Sequence, residues 1–179
     1  IGVTHDWTAA VTIAKQPSGV IELAEIKTWK PSRDQKVNIE DVETYLIDSH
    51  QRFNYKHISI DPHQAVHLSS RLQAAYLPSL LVSQSGPQKN VQAMALVQAI
   101  KTQTLRSCPN DDLLHDVRNM SIEEKAYGLK LSWPRASRDH GHSDVAEELS
   151  IALASAKGVR VVADCAIDFA ALSSTVGES

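Results

Sequence analysis

Small and β-branched residues in the first part of the chain predict two antiparallel strands. These side chains dominate residues 8–15 and 20–27, and residues 16–19 (Gln-Pro-Ser-Gly) supply the chemistry of a tight turn between them. After a loop, apolar side chains recur at near-helical spacing at Val42, Tyr45, Leu46 and Phe53. We therefore expect a β-hairpin followed by an amphipathic helix that begins near Asn38.

Strand and helix patterns alternate through the middle of the chain. Residues 57–61 predict a short strand that Pro62 ends, and residues 63–75 predict a helix. Residues 79–82 predict a second buried strand, and residues 90–105 predict a second helix. The positions expected to face inward are Ala65, Leu68, Leu72 and Ala75 in the first helix, and Val91, Met94, Val97 and Ile100 in the second. This alternation is typical of parallel strands.

The last third of the chain contains its clearest helical pattern. Residues 144–156 place apolar side chains in register on one face at Val145, Leu149, Ala152, Leu153 and Ala156. Residues 125–133 predict a strand before this helix, and residues 159–164 a strand-like segment after it, whereas the segment after Cys108 has a weaker pattern. Together these elements predict an α/β domain with a mixed sheet flanked by helices.

Composition limits the classes to which the protein can belong. A chain of 179 residues with 42% hydrophobic side chains suits one domain. Its apolar stretches are far shorter than the ~20 residues that cross a bilayer, and its first residues lack a secretory signal pattern. Cys108 and Cys165 form no C-x-x-C pair, which favours a reducing cytoplasm over a disulfide framework. Because the net charge is -3, DNA binding would need a local basic face or metal ions.

Asp61 is a candidate metal ligand because it is the last residue of a predicted strand. Ile58 and Ile60 face one side of that strand and Asp61 the other, and ligands of α/β sheets gather at the carboxyl ends of strands. A helix cap is the alternative, since Pro62 suits the first helical position and Gln64 completes a capping pattern. Spacing alone favours the cap.

Asp144, at the start of the last predicted helix, has the same two interpretations. A carboxylate there can point off the helix tip toward the sheet edge, or it can cap the helix together with Glu147 three residues later. His140 and His142 lack the spacing of a zinc site and are better explained as surface residues. Asp6, taken by itself, is a turn residue ahead of the first clear strand.

Three segments, taken in order, resemble the nuclease domain of the large terminase subunit of tailed bacteriophages. They are Gly-Val-Thr-His-Asp-Trp-Thr-Ala-Ala at residues 2–10, Ser-Ile-Asp-Pro-His-Gln-Ala at residues 59–65, and Gly-His-Ser-Asp-Val-Ala at residues 141–146. The resemblance implies a ribonuclease H-like fold. By eye it extends over residues 1–156, and we assign residues 1–158 to the nuclease domain and 159–179 to a C-terminal strand-like segment and tail.

The resemblance also implies a site with two divalent ions, Mg²⁺ or Mn²⁺, held by carboxylates. The matching residues are Asp61, Asp144 and Asp6, the last of which matches the second acidic residue of the family's first motif. A further aspartate on the family's first strand would fall just ahead of Ile1. Alternatively, the apolar residues 159–164, which end in Asp164, take the place of that strand. Magnesium prefers carboxylate and water oxygens, and two ions can activate water and stabilise the leaving oxygen.

Basic residues after the hairpin form a candidate DNA-binding group: Lys27, Lys30, Arg33 and Lys36. A solvated surface and a DNA-tracking role are about equally good explanations of them, because phosphate contacts position a duplex without reading its sequence. A second basic group, Lys125, Lys130, Arg135 and Arg138, leads toward the helix of Asp144. Trp29 fits the core better than DNA.

The function expected from the resemblance is metal-dependent cutting of concatemeric double-stranded DNA into genome lengths, in the cytoplasm of the bacterial host. The expected partners are DNA, an upstream ATPase domain, the portal and the small terminase subunit. The chain itself has no Walker-type phosphate loop, so it does not contain a complete ATPase. The alternatives are a resolvase- or transposase-like nuclease and a catalytically silent ribonuclease H-like module that docks DNA or the portal.

Overall fold

The computed structural model describes residues 8–31, 36–62, 66–133 and 144–157. The strands in these parts are β1 (Thr8–Lys15), β2 (Ile21–Trp29), β3 (Ile58–Ile60), β4 (Ser79–Leu81), β5 (Leu105–Arg106), β6 (Ser121–Lys125) and β7 (Gly128–Ser132). The helices are α1 (Ile39–Phe53), α2 (Val66–Ala74), α3 (Gly86–Lys101), α4 (Asp111–Asn119) and α5 (Asp144–Lys157).

The strands pair in three small groups. β1 and β2 form an antiparallel hairpin, and β5 adds to β2 in parallel. β3 and β4 are parallel, and β6 and β7 form a second antiparallel hairpin. The turn of the first hairpin depends on Gly19, whose φ of +87° suits glycine, and on a bond of 2.8 Å from the Gln16 amide to the Val20 carbonyl. The predicted mixture of strand directions is confirmed.

Asparagine side chains fix the starts of two helices. The Asn38 side chain accepts a hydrogen bond of 3.0 Å from the Glu40 amide at the start of α1. The Asn110 side chain accepts one of 2.8 Å from the Leu113 amide at the start of α4. Each cap satisfies an amide that the first turn of a helix leaves without an internal acceptor.

Two apolar clusters form the core of the described residues. The larger lies among α3, α4, α5 and β7, with the first hairpin packed against it; its buried members are Ala93, Ala95, Leu96, Ala99, Leu113, Leu131, Val145, Ala146, Leu149 and Leu153. The smaller lies among α1, α2 and β3; its members are Val37, Val42, Leu46, Ile60, Leu68, Leu72 and Leu77. The helices therefore bury the sheets from both sides, as the fold class predicted.

The elements with strong periodicity are confirmed. The first hairpin, α1 and α5 begin and end within two residues of their predicted bounds. In α2, Leu68 and Leu72 are buried as predicted, whereas Ala75 is exposed and follows the end of the helix. In α5, the buried face contains Val145, Leu149 and Leu153 as expected.

The predicted inward face of α3 is wrong. Val91, Met94 and Ile100 are 43%, 46% and 42% exposed, and Val97 is half-buried. The buried face instead carries Gln92, Ala93, Ala95, Leu96 and Ala99. Its alanines allow α3 to lie close to α5, so the packing of the helix pair selects small side chains over large ones. The helix also begins at Gly86 rather than residue 90 and ends at Lys101, which leaves Leu105 in β5.

Besides β5, two further elements were missed. α4 occupies the segment after Cys108, where only the cap of Asn110 and the buried Leu113 and Asp116 give a pattern. The strand predicted over residues 125–133 is in fact β7 and the turn before it, and β6 precedes it. β6 escapes prediction because its sequence, Ser-Ile-Glu-Glu-Lys, is mostly exposed and charged.

Several predictions fall outside the described residues. They concern Asp6, the helix start at residues 63–65, the loop with His140 and His142, the strand at residues 159–164 and Cys165. Cys108 carries an exposed free thiol. None of the helices in the described ranges is long and apolar enough to span a membrane.

The corrected face of α3 predicts how two neighbouring positions respond to the same new side chain. Ala93→Leu should lower the free energy of unfolding by about 1–3 kcal/mol, because Ala93 is fully buried and added methylenes overpack the core. Met94→Leu, on the exposed face, should change it by less than about 0.5 kcal/mol. Urea unfolding of both variants measures the difference, and equal losses would contradict the observed face.

Candidate metal centre

Asp61 lies at the carboxyl end of the parallel pair β3–β4. It directly follows Ile60, which is 6% exposed and anchors the strand in the smaller core cluster. Asp61 itself is half-buried. The described part of α2 begins five residues later, at Val66, so the cap interpretation of Asp61 remains a prediction. The strand end is the position at which ligands of α/β sheets gather.

The first turns of α5 place two carboxylates in the neighbourhood of Asp61: Glu148 lines the same cavity as Asp61, and Glu147 interacts with Asp61 electrostatically. Burial raises the pKa of Glu147, the Lys89 ammonium lowers it, and the Asp61 carboxylate raises it. The Lys130 ammonium lowers it as well. The Asp61 carboxylate and the Lys89 and Lys130 ammonium groups thus all act electrostatically on the Glu147 carboxylate.

The start of α5 is held from outside by Asp116 of α4. The Asp116 carboxylate accepts a hydrogen bond of 3.1 Å from the Ala146 amide, and its carbonyl accepts one of 2.9 Å from the Trp133 indole. Burial raises the pKa of Asp116, although the bond from Ala146 and the nearby His115 act in the opposite direction. The Ala146 amide, in the first turn of α5, thus has its acceptor in α4. This bond fixes the start of α5 and with it the position of Glu147.

The two lysines are positioned by a tight contact between α3 and the turn of the β6–β7 hairpin. The Asn90 side chain accepts a hydrogen bond of 2.8 Å from the Leu129 amide. Gly128 has a φ of +115°, and a Cβ atom at Gly86 would lie 2.7 Å from the ring of Tyr127. Because Lys89 precedes Asn90 and Lys130 follows Leu129, this contact brings the two backbone positions close together.

The donor chemistry of the site fits a divalent magnesium or manganese ion. Asp61 and Glu147 offer carboxylate oxygens, which these ions prefer. Burial of Glu147 makes its negative charge costly without a cation, and an ion shared with Asp61 would offset that cost. The part of the chain that the structure describes contains no cluster of three or more possible ligands. Asp144 is the first residue of α5, three positions before Glu147, and its side chain is outside the description.

The sequence-predicted site residues thus differ in what the structure shows of them. Asp61 is at the edge where it was expected, Asp144 starts the expected helix, and Asp6 lies in the undescribed residues 1–7. Glu147 was considered only as a capping partner of Asp144. Its spacing of three residues from Asp144 places both on one face of the helix, and that signal could have identified it.

The candidate DNA-binding group is only partly described. The Lys30 ammonium lies 3.5 Å from the Asp112 carboxylate, an ion pair that the sequence did not indicate. Lys27 is exposed with its ammonium 6.0 Å from the centre of the Trp29 ring, and Lys36 is exposed. Arg33 is outside the described residues.

The environment of Trp29 agrees with its predicted place in the core. Its ring packs edge-on against the Tyr45 ring, with 5.2 Å between the ring centres. It also packs against the smaller apolar cluster. This contact anchors the end of β2 to α1. The basic residues that follow β2 therefore begin at a defined position.

Comparison with solved structures identifies the architecture. The large terminase of bacteriophage HK97 superposes with a TM-score of 0.71 at 14% sequence identity, over 85% of this chain and 37% of that one. The large terminase nuclease of thermophilic phage G20c superposes with a TM-score of 0.66 at 14% identity, over 85% of this chain and 76% of that one. The chain has the fold of a large terminase nuclease.

A second structure of the G20c nuclease, with bound magnesium, superposes with a TM-score of 0.63 at 13% identity, over 86% of this chain and 76% of that one. No protein-family model and no curated protein matches the sequence. The chain spans 37% of the length of the HK97 large terminase. The resemblance noted in the sequence and the ribonuclease H-like fold class are confirmed at the level of architecture.

The Asp116 cap predicts a pH dependence of stability. A carboxyl group whose pKa is raised on folding stabilises the fold when protonated, and this contribution is lost as pH rises through the folded pKa. Asp116→Asn keeps an acceptor for Ala146 without the buried charge. At pH 7 it should therefore raise the Tm by roughly 2–4 °C, and the gain should shrink as pH falls through the raised pKa.

Thermal unfolding between pH 4 and pH 8 measures this effect. Asp111→Asn, at an exposed position in the first turn of the same helix, is the matched control and should shift the Tm little at any pH. A gain for Asp116→Asn that grows toward low pH would contradict the assigned direction.

Proposed function

We propose that the chain is the nuclease module of a viral DNA-packaging terminase and that it cuts concatemeric double-stranded DNA into genome lengths. The observation that supports this most is the position of the carboxylates. In a chain with the fold of terminase nucleases, Asp61 follows the carboxyl end of a parallel strand pair, and the Glu147 carboxylate interacts with it electrostatically. Their mutual repulsion is offset in part by Lys89 and Lys130, and a bound cation would offset it further.

The module uses Mg²⁺ or Mn²⁺, with two ions held by Asp61, Asp144 and Asp6 and with Glu147 beside them. One relative is a terminase nuclease with bound magnesium. When bound, such ions supply an activated water and stabilise the oxygen that leaves the phosphodiester. The chain's contribution is to hold the carboxylates at fixed positions, with Asp61 directly after β3 and Glu147 on a helix whose start Asp116 secures.

Lys89 and Lys130 contact the phosphate that is cut. Both are half-buried, and both ammonium groups act electrostatically on the Glu147 carboxylate, which supports a role at the proposed site. Ammonium groups at that position offset the charge of the DNA backbone without reading its sequence. Lys27, Lys30, Arg33 and Lys36 extend this contact along the duplex, and Lys30 exchanges its ion pair with Asp112 for a phosphate.

The wider assembly follows from the same proposal. The module spans residues 1–158, with residues 159–179 as a C-terminal segment. It works beside an upstream ATPase domain, the portal and the small terminase subunit in the cytoplasm of the bacterial host. The HK97 large terminase, of which this chain matches 37%, supports a longer parent protein of this kind.

Removal of a ligand should abolish metal-dependent DNA cleavage. Asp61→Asn and Asp144→Asn should each lower plasmid cleavage in Mn²⁺ by more than about 100-fold, since loss of an outer-shell partner alone costs 10- to 100-fold. Glu147→Gln should lower it by a smaller factor. A gel assay of supercoiled plasmid measures all three variants.

Metal binding is measured separately, so that a silent module can be recognised. Millimolar Mn²⁺ should raise the Tm of the wild-type chain and of Asp48→Asn, an exposed control on α1, but not that of Asp61→Asn. Cleavage that survives in Asp61→Asn or Asp144→Asn would overturn the proposed site. Metal binding without any cleavage would instead indicate a module that only docks DNA.

The proposed phosphate contacts predict a change in the salt dependence of DNA binding. Replacing Lys89 and Lys130 with Gln should weaken binding to all sequences and flatten the slope of log K against log salt by about 0.9 for each lost contact. The triple change of Lys30, Arg33 and Lys36 to Ala should do the same. Fluorescence anisotropy at several salt concentrations measures the slope, and an unchanged slope in either variant would place those lysines away from DNA.

A further inference from the structure

The loop between β4 and α3, residues 82–85, carries a buried carboxamide without hydrogen bonds. Both terminal atoms of the Gln84 side chain, Oε1 and Nε2, are buried, and neither has a hydrogen-bond partner. In the part of the chain that the structure describes, Gln84 is the side chain with two such atoms. Burying a donor and an acceptor without partners costs free energy, so this pair in a folded protein calls for an explanation.

Gln84 lies on the same face of the sheet as Asp61. β3 and β4 are in parallel register with Ile60 beside Leu81, and the Val82 amide donates to the Ile60 carbonyl at 2.9 Å. The pairing thus continues by one residue, which places Val82 beside Asp61 on the same face. Exposed and half-buried positions alternate over residues 81–85, as in an extended chain, so Gln84 shares the face of Val82.

Hydrogen bonds to two helices show which face of the sheet this is. The Ser59 hydroxyl, on the face of Asp61, bonds the Ser155 hydroxyl of α5 at 2.7 Å. The opposite face belongs to α2, where Ser79 of β4 bonds Ser69 at 3.1 Å. The shared face is therefore that of α5, the helix whose first turn carries the second carboxylate of the candidate site.

The backbone around Gln84 is held by the start of α3. The Ser85 amide donates to the Ser83 hydroxyl at 3.2 Å, and the Lys89 amide donates to the Ser85 carbonyl at 2.9 Å. Ser85 has a φ of −63° and a ψ of 159°, so the chain stays extended until α3 begins. The position of Gln84 is thus tied to the helix whose Lys89 acts electrostatically on Glu147.

We propose that Gln84 is a positioning residue of the candidate metal centre and acts through Asp61. With a divalent ion bound, Nε2 of Gln84 donates to the Asp61 carboxylate, and Oε1 accepts a hydrogen bond from a water beside the ion. Ligating carboxylates are commonly oriented by such outer partners, and magnesium keeps several of its waters. Both buried atoms of the carboxamide are then paired. This role rests on the metal site proposed above, although it needs no DNA.

A purely structural role for Gln84 has the opposite consequences. A carboxamide that is satisfied inside the protein contributes to stability, so its removal lowers the Tm and leaves the affinity for metal unchanged. A carboxamide without partners destabilises the protein in the absence of metal, so its removal raises the Tm. The directions of these changes therefore separate the two roles.

Gln84→Met tests the proposal, because it keeps the approximate volume of the side chain and removes both polar atoms. Without metal, it should raise the Tm by about 2–4 °C. Its affinity for Mn²⁺ should fall by about 10- to 100-fold, the usual cost of losing an outer partner. Gln51→Met, at an exposed position on α1, is the matched control and should change neither quantity. Thermal unfolding and isothermal titration with Mn²⁺ alone measure both.

The outcomes distinguish a failure of this role from a failure of the metal site. An unchanged Mn²⁺ affinity in Gln84→Met, with a lower affinity in Asp61→Asn, would overturn the role of Gln84 alone. A lower Tm of Gln84→Met without metal would also overturn it, because the carboxamide would then have partners in the free protein. Gln84→Ala removes the same atoms without filling the space, so it should lose the same affinity. A wild type that binds no Mn²⁺, or an Asp61→Asn that binds it equally well, would overturn the metal centre and this role together.

Discussion

The burial of α5 is the interaction on which the rest of the structure depends. Val145, Leu149 and Leu153 pack into the larger core cluster. Ile151 is equally buried, on the side of the helix that lines the cavity between β1 and β3. The same helix bonds β1 through Lys15 and β3 through Ser59. Because α5 contacts both sheets, it sets their relative position, and its first turn carries a carboxylate to the edge where Asp61 lies.

Sequence patterns predicted those elements of the fold whose burial follows from the apolar pattern of their own residues. α5 is apolar on a broad face, and α1 has a cap and a clear stripe, so both could be placed from periodicity. The face of α3 could not, because its buried side consists mostly of alanines, whereas the larger apolar side chains of Val91, Met94 and Ile100 are exposed. β6 could not either, since an exposed charged strand is held by its partner β7 and not by a core.

The site was predictable only where its residues begin or end an element. Asp61 and Asp144 stand at a strand end and a helix start, which the alternation of patterns located within a few residues. Lys89, Lys130 and Glu147 neither begin nor end an element. Their elements are joined by the bond between Asn90 and Leu129 and the bond between Asp116 and Ala146. Each bond links segments that are far apart in the sequence, so the pattern of neither segment predicts it.

The same long-range contacts bear on the order in which the chain folds. The smaller core cluster is built from residues 37–77, so its contacts are local and need only short loops to close. The bond between Lys15 and Ala156 joins residues 141 positions apart, and the larger cluster likewise combines the first hairpin with the last helix. Closing long loops costs more entropy and slows folding. We therefore expect Asp61 to reach its place early and the candidate site to form only in the final step, when α5 docks.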